Sequence, residues 1–232
     1  VGSEMCISDR GDGGRLVVNT SEVYYTGYSL GGNRGPSLLG LSPDVNRGAL
    51  WVGGAAFSHQ IERCTQYDQF DDLMESVIGY PSQLDRAVVI SLIQSLWDAT
   101  DTNTWTTLSE GWGDKVQPFE MIYIGSIGDL QISNISTSRA LRNADASILS
   151  SSSIHPYGLP ITEGGEGTTG NVGVYFDGGF SHAPEQNLLG QEPHPAHNWV
   201  AGVEAAHRMA FEYLFNGYVV DRCDGSCIYD AA

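Results

Sequence analysis

The chain has 232 residues, with 28 Asp and Glu against 11 Lys and Arg, giving a formal net charge of -17. Lys115 is its one lysine, so no basic stripe exists to neutralise a phosphate backbone, which argues against nucleic acid and anionic membrane surfaces as partners. Hydrophobic residues make up 41% of the chain and glycine is abundant at 29, the composition of a globular protein and not of a disordered one.

In chain order, residues 8–14 are a turn-rich connection, followed by Leu16-Val17-Val18 and a β-prone run from Glu22 to Thr26. Gly27-Tyr28-Ser29-Leu30-Gly31-Gly32 comes next, and residues 33–41 are expected to continue as a helix with Pro36 early in it. Ala49-Leu50-Trp51-Val52 is short and wholly apolar, which suits a strand covered on both faces. Residues 59–80 have helical spacing, with Leu73, Val77 and Ile78 on one face, and Leu84 to Trp97 is the clearest helix. Residues 98–114 are loop-like, anchored by Trp105, Leu108 and Trp112. A strand over Pro118 to Gly125, a short helix over 136–144, a serine-rich loop at 150–153 and a strand over Asn171 to Phe176 follow. An irregular stretch over 177–197 leads to an amphipathic helix over Ala201 to Phe215, with Gly217 as its stop. Strands separated by helical segments predict an α/β fold in one domain. No run of 18 apolar residues exists, so no transmembrane helix is expected.

Gly27-Tyr28-Ser29-Leu30-Gly31 has the form G-x-S-x-G, between a β-prone run and a helical stretch. Such a turn lifts a serine hydroxyl above the end of a sheet, and side chains at the glycine positions would collide with neighbouring backbone. The Leu30 N–H at the helix start is placed to be one oxyanion donor. A serine nucleophile needs a base, and the base an orienting acid; the turn resembles that of α/β-hydrolases, which implies the chain order Ser, Asp or Glu, His. Asp129, just past the 118–125 strand, fits best as the acid, with Asp177 after the last strand as the rival; Asp98 and Asp101 follow a helix and are weaker. The base is expected from the late loop, where His194 and His197 stand, with His182 a little earlier. His59 is out of order, His155 lies too near the middle and His207 falls within the closing helix. A metal site built from His182, His194 and His197 is the competing use of that cluster.

Four cysteines, Cys6, Cys64, Cys223 and Cys227, permit two disulfides. The Asp224-Gly225 turn favours closure of Cys223 with Cys227, leaving Cys6 with Cys64, and free thiols or a zinc cluster are the alternatives. Disulfides would place the protein outside the cytoplasm, secreted or periplasmic.

The run Gly27–Gly32 with Leu41-Ser42-Pro43-Asp44-Val45-Asn46-Arg47, and the stretch Gly128-Asp129-Leu130-Gln131-Ile132-Ser133-Asn134, resemble the C-terminal part of an α/β-hydrolase of the bacterial lipase and esterase kind. Ser133 stands where that family often has proline. The resemblance implies a mainly parallel sheet with helices on both faces. It favours His197 over His194, because related sequences carry a histidine about 16 residues before an aromatic-Leu pair in the closing helix, here Tyr213-Leu214. It also implies a serine hydrolase acting on a small-molecule or lipid ester. His197 would be general base and acid, Asp129 the orienting acid and Ser29 the acylated nucleophile, with no metal or organic cofactor required. Peptidase, amidase or acyltransferase chemistry with the same triad, or a catalytically silent binding protein on this scaffold, are the alternatives.

Residues 59–115 are expected to form a helical cap, with Tyr67, Phe70, Trp105 and Trp112 as candidates for an apolar acyl pocket and Trp97 as core. Such folds place four or more strands and the second oxyanion donor before the elbow, whereas Ser29 has only 28 residues before it, beginning Val1-Gly2-Ser3-Glu4. Residues 1–232 are therefore expected to be the C-terminal part of one hydrolase domain, completed by an N-terminal polypeptide, a processed subunit foremost.

Overall fold

The computed structural model describes residues 21–182 and 195–230. The elements run β1 (Tyr25–Tyr28), α1 (Leu30–Leu41), β2 (Arg47–Trp51), α2 (Phe57–Ile61), α3 (Tyr67–Asp72) with a π-helical turn (Leu73–Ile78), α4 (Gln83–Trp97), α5 (Thr102–Thr106), β3 (Glu120–Ser126), α6 (Asn134–Asn143), β4 (Ser147–Leu149), β5 (Ile161–Thr162), β6 (Val172–Phe176), α7 (Ala196–Trp199) and α8 (Glu204–Asn216).

The strands form one parallel sheet in the order β1-β2-β3-β6-β4-β5. Successive side chains alternate between its faces. Met121 and Tyr123 of β3 join Leu39 of α1, Leu50 of β2 and Leu141 of α6 in one apolar layer. Ile122 and Ile124 join Trp51, Val174 and the Ala206, Met209, Ala210 and Tyr213 face of α8 in the other. Both layers exclude water, which explains the uninterrupted apolar strands read in the sequence. The strand order with helices on both faces matches α/β-hydrolase topology. The short strands β4 and β5 extend the sheet on the side away from the elbow, and among the described residues β1 is an edge.

Pro36 lies in the body of α1, later than expected, and the helix tolerates it for a local reason. A proline has no N–H for the carbonyl four residues earlier. That carbonyl, on Gly32, accepts a hydrogen bond from the Tyr123 hydroxyl at 3.2 Å. The gap in the helical ladder becomes the point where α1 is fastened to the middle of the sheet.

The helices between β2 and β3 carry their own small core of Ile61, Tyr67, Met74 and Ile90. The buried Arg86 guanidinium binds them together, reaching Asp71 at 2.9 Å and Glu75 at 3.4 Å. The expected face of Leu73, Val77 and Ile78 is exposed instead, because Met74 and Tyr67 turn inward. Leu84, Val88, Leu92 and Leu96 also face outward along α4, and Trp112 is exposed where an anchor was expected. No described helix is long and apolar enough to cross a membrane.

Asp101 fixes these helices to the body. Its buried carboxylate accepts from the backbone N–H groups of Ala56 (3.0 Å), Phe57 (2.7 Å) and Asn103 (2.6 Å) and from the Gln94 amide (3.2 Å). Replacing Asp101 with Ala strands these donors, and is expected to cost about 3 kcal/mol. Equilibrium denaturation should give the loss, with faster amide exchange at Ala56 and Phe57 identifying its origin.

Candidate active site

β1 delivers the chain to Ser29 at the C-terminal end of the sheet, and α1 begins at the next residue. Ser29 takes φ 54°, ψ -113°, a conformation costly for a residue with a Cβ. Its N–H donates to Trp51 O and its carbonyl accepts from Asn33 N, both at 2.9 Å, so strand β2 and the first turn of α1 hold the strained residue from both sides. The turn is tight enough that a Cβ on Gly27 would lie 2.4 Å from Gly31 O. Gly32 and Gly53 meet backbone to backbone, a Cβ on Gly32 falling 2.6 Å from Trp51 O and one on Gly53 2.7 Å from the Gly32 carbonyl carbon. As the first residue of α1, Leu30 has no intrahelical acceptor for its N–H, which leaves that donor beside Ser29.

Asp129 lies on the loop after β3. Asn134 braces this loop, accepting from Gly128 N–H at 3.2 Å and donating to Ser126 O at 2.7 Å. One Asp129 oxygen accepts from Gln131 N–H (2.8 Å) and Ile132 N–H (3.0 Å). The other lies 2.7 Å from His197 Nδ1, and His197 Nε2 lies 2.9 Å from Ser29 Oγ. A carboxylate can only accept, so Nδ1 carries the proton and Nε2 is left to accept from the serine hydroxyl. Asp129 and His197 are almost fully buried, which strengthens each hydrogen bond in the relay.

Thus Ser29, Asp129 and His197 come together from three sequence-distant elements. Asp177 does not join them: its carboxylate accepts from Gly179 N–H at 2.8 Å and closes a turn. His194 and Cys6 lie outside the described residues. His182 is exposed, His155 meets Ser150 O, His59 meets Arg139, and His207 accompanies Ala201 O on α8. Cys223 and Cys227 form a disulfide. Cys64 is a buried free thiol donating to Gln66 Oε1 at 2.7 Å. Burial pushes its pKa up and the nearby Asp129 charge adds to this, against an opposing hydrogen bond from Gln66, which makes it a poor competing nucleophile. The alternative metal set of His182, His194 and His197 includes a residue outside the described ones. Among the described residues, the group of three possible ligands that converges is Asp221, Cys223 and Cys227, with its sulfurs bonded to each other.

A cleft of about 80 Å3 opens at Leu30, walled by Phe57 and Trp97, with Asn33, Arg34 and Thr102 along its side. Trp97, expected in the core, packs against the Ile61, Tyr67, Met74 and Ile90 cluster and also lines the cleft, meeting Phe57 edge-on at 4.8 Å. Of the other expected pocket aromatics, Tyr67 is core, Phe70 and Trp112 are exposed and Trp105 packs against α1 and β3 residues. Sequence reasoning missed Phe57, Asn134 and Tyr28, whose hydroxyl donates to the His197 carbonyl. Tyr28 occupies a variable position of the motif, so no spacing rule marks it.

Comparisons with protein-family models, curated proteins and solved structures find no match. The elbow geometry is tested by Gly27→Ala. With the Gly31 carbonyl as well as the Tyr25 hydroxyl in the way of the added methyl, the variant is expected to lose about 1–3 kcal/mol of stability, read from its denaturation midpoint.

Proposed function

We propose that the protein is a serine hydrolase that cleaves a carboxylic ester through an acyl-enzyme on Ser29. The observation that carries this reading is the unbroken relay from Ser29 Oγ through His197 to Asp129, at 2.9 and 2.7 Å, mounted on a strained strand-to-helix turn. His197 Nε2 takes the hydroxyl proton as Ser29 Oγ attacks the acyl carbonyl. The imidazolium that forms is stabilised by Asp129, whose second oxygen is already held by two backbone donors. Negative charge on the tetrahedral oxygen faces the Leu30 N–H. Collapse expels the alcohol, which takes the proton from His197. Water then repeats the sequence on the acyl-enzyme and frees the acid.

The small cleft beginning one residue from the nucleophile supports a small-molecule ester over a folded peptide chain. Its walls, Leu30 from α1 against Phe57 and Trp97, support the assignment of residues 59–115 as a cap over the site. The β1 edge adjoins an apolar groove lined by Tyr28, Trp51, Phe211 and Leu214, and both features support an N-terminal polypeptide that adds strands here and supplies the second oxyanion donor. The Cys223–Cys227 disulfide favours an extracytoplasmic setting.

Fluorophosphonate labelling of the complete protein, mapped by peptide mass, is expected to mark Ser29, and Ser29→Ala to abolish the label. Absence of label on folded protein overturns the assignment. Asp129→Asn keeps the shape but favours the wrong imidazole tautomer. It is expected to lower kcat by about 10⁴-fold with its fold intact by circular dichroism.

A further inference from the structure

Tyr28 immediately precedes the nucleophile, and strand alternation sends its side chain to the face opposite Gly27, the face on which α8 packs and to which residues 195–203 return. There its hydroxyl donates to the backbone carbonyl of His197, across 169 residues of sequence. Its ring also meets the imidazole edge-on, with centroids 5.7 Å apart and planes at 70°. We propose that Tyr28 is the positioning residue of the catalytic base, holding the His197 backbone so that Nε2 stays aimed at Ser29 through the reaction. This role rests on the serine-hydrolase reading above.

The base needs such a fixture. His197 rides on α7, a four-residue helix too short to hold its own shape. Asp129 fixes Nδ1, but a single hydrogen bond leaves the tilt of the ring about the Nδ1···Oδ2 line to the groups packed around it. The bond from Ser29 Oγ to Nε2 cannot serve as the second fixed point, because it is broken and remade in every turnover. The Tyr28 contact to the main chain supplies that point, and it stays intact while protons move on the ring. Since Tyr28 is covalently joined to Ser29, displacement of the elbow carries the base with it. Burial, then the neighbouring Asp129 charge, push the Tyr28 phenol up to about 12, so it remains a donor across ordinary working pH. The ring contact adds shape: it limits how far the imidazole can tilt away from the nucleophile.

The test compares wild type with Tyr28→Phe, which keeps the ring and deletes the donor. Rates are expressed per active site titrated with a fluorophosphonate, so that unfolded protein does not count. A misplacement of the base by a fraction of an ångström is expected to lower kcat by roughly 10- to 100-fold. KM should stay within about twofold, because Tyr28 does not line the cleft at Leu30 and substrate binding is untouched. The rate constant for fluorophosphonate labelling should fall in parallel with kcat, since both require deprotonation of Ser29. Tyr28→Met, which removes ring and donor, should lower both rates further and gives an independent comparison if the Phe variant folds poorly. A Tyr28→Phe enzyme with wild-type kcat and labelling rate per site, whatever its melting temperature, overturns the positioning role alone. A folded wild type that neither labels nor hydrolyses esters overturns the hydrolase reading and the positioning role with it.

Discussion

The constraint on which the site depends is the backbone of Ser29. At φ 54° and ψ -113° it sits in a conformation that costs an ordinary residue about 1–3 kcal/mol, and the one bond within the turn, from Asn33 N–H to Ser29 O, is only part of what holds it. What holds it is distributed over the sheet. The Ser29 N–H is committed to Trp51 on β2, the Gly31 carbonyl accepts from Tyr25 on β1 at 2.8 Å, and the Gly32 carbonyl accepts from Tyr123 on β3. Each of the first three strands therefore grips α1 near its start. Glycines let those backbones come close enough for the grip to exist. The elbow's strain is thus a property of three packed strands, and the order in which they lie in the sheet is a requirement of the chemistry.

The same dependence explains what the sequence displayed and what it hid. The apolar runs of β2, β3 and β6 were legible because both faces of each strand are covered, so composition alone marks them. Ser29 was legible because backbone crowding leaves glycine as the residue available at position 27, although the expected crowding at Gly31 is absent, where a Cβ would meet the Tyr25 hydroxyl at 3.4 Å. β4 and β5 were not legible. They are three and two residues long, and they exist because β6 offers an open edge for pairing, which is a tertiary fact. The expected face of Leu73, Val77 and Ile78 failed for a related reason. Helical spacing gives the residues that share a side, but the π-helical turn over 73–78 rotates that side, and Met74 and Tyr67 are the residues that meet Ile90.

Polar residues without a motif carry much of the remaining organisation. Asp101 follows a helix and is a weak candidate for the catalytic acid, and its burial would ordinarily make an unpaired carboxylate expensive. Four N–H donors satisfy it, and they belong to the segment after β2, to α4 and to α5. The cost of burying the charge is offset only while those three segments stay together, so Asp101 makes the helical insertion cohere with the body that carries Ser29. Asn134 does the equivalent service on the opposite side of the site, closing the loop on which Asp129 stands.

The choice between Asp129 and Asp177 shows how such local bonding decides a chemical role. Both follow a central strand and both lie at the C-terminal edge of the sheet. At Asp129 the backbone folds back so that Gln131 and Ile132 N–H groups occupy one carboxylate oxygen, leaving the other free for His197. At Asp177 the chain is held by its neighbour: its N–H donates to Cys227 O, its carbonyl accepts from Tyr229 N–H, and one oxygen of its side chain accepts from Gly179 N–H. The disulfide closing Cys223 to Cys227 fixes that neighbouring segment in the shape that pairs with Asp177. Both carboxylates have one oxygen held by their own loop, so what separates them is where the backbone places the other oxygen, and at Asp129 that oxygen meets His197. The C-terminal segment takes the backbone of Asp177 into an extra β-bridge and so fixes where that residue stands, while the imidazole meets Asp129.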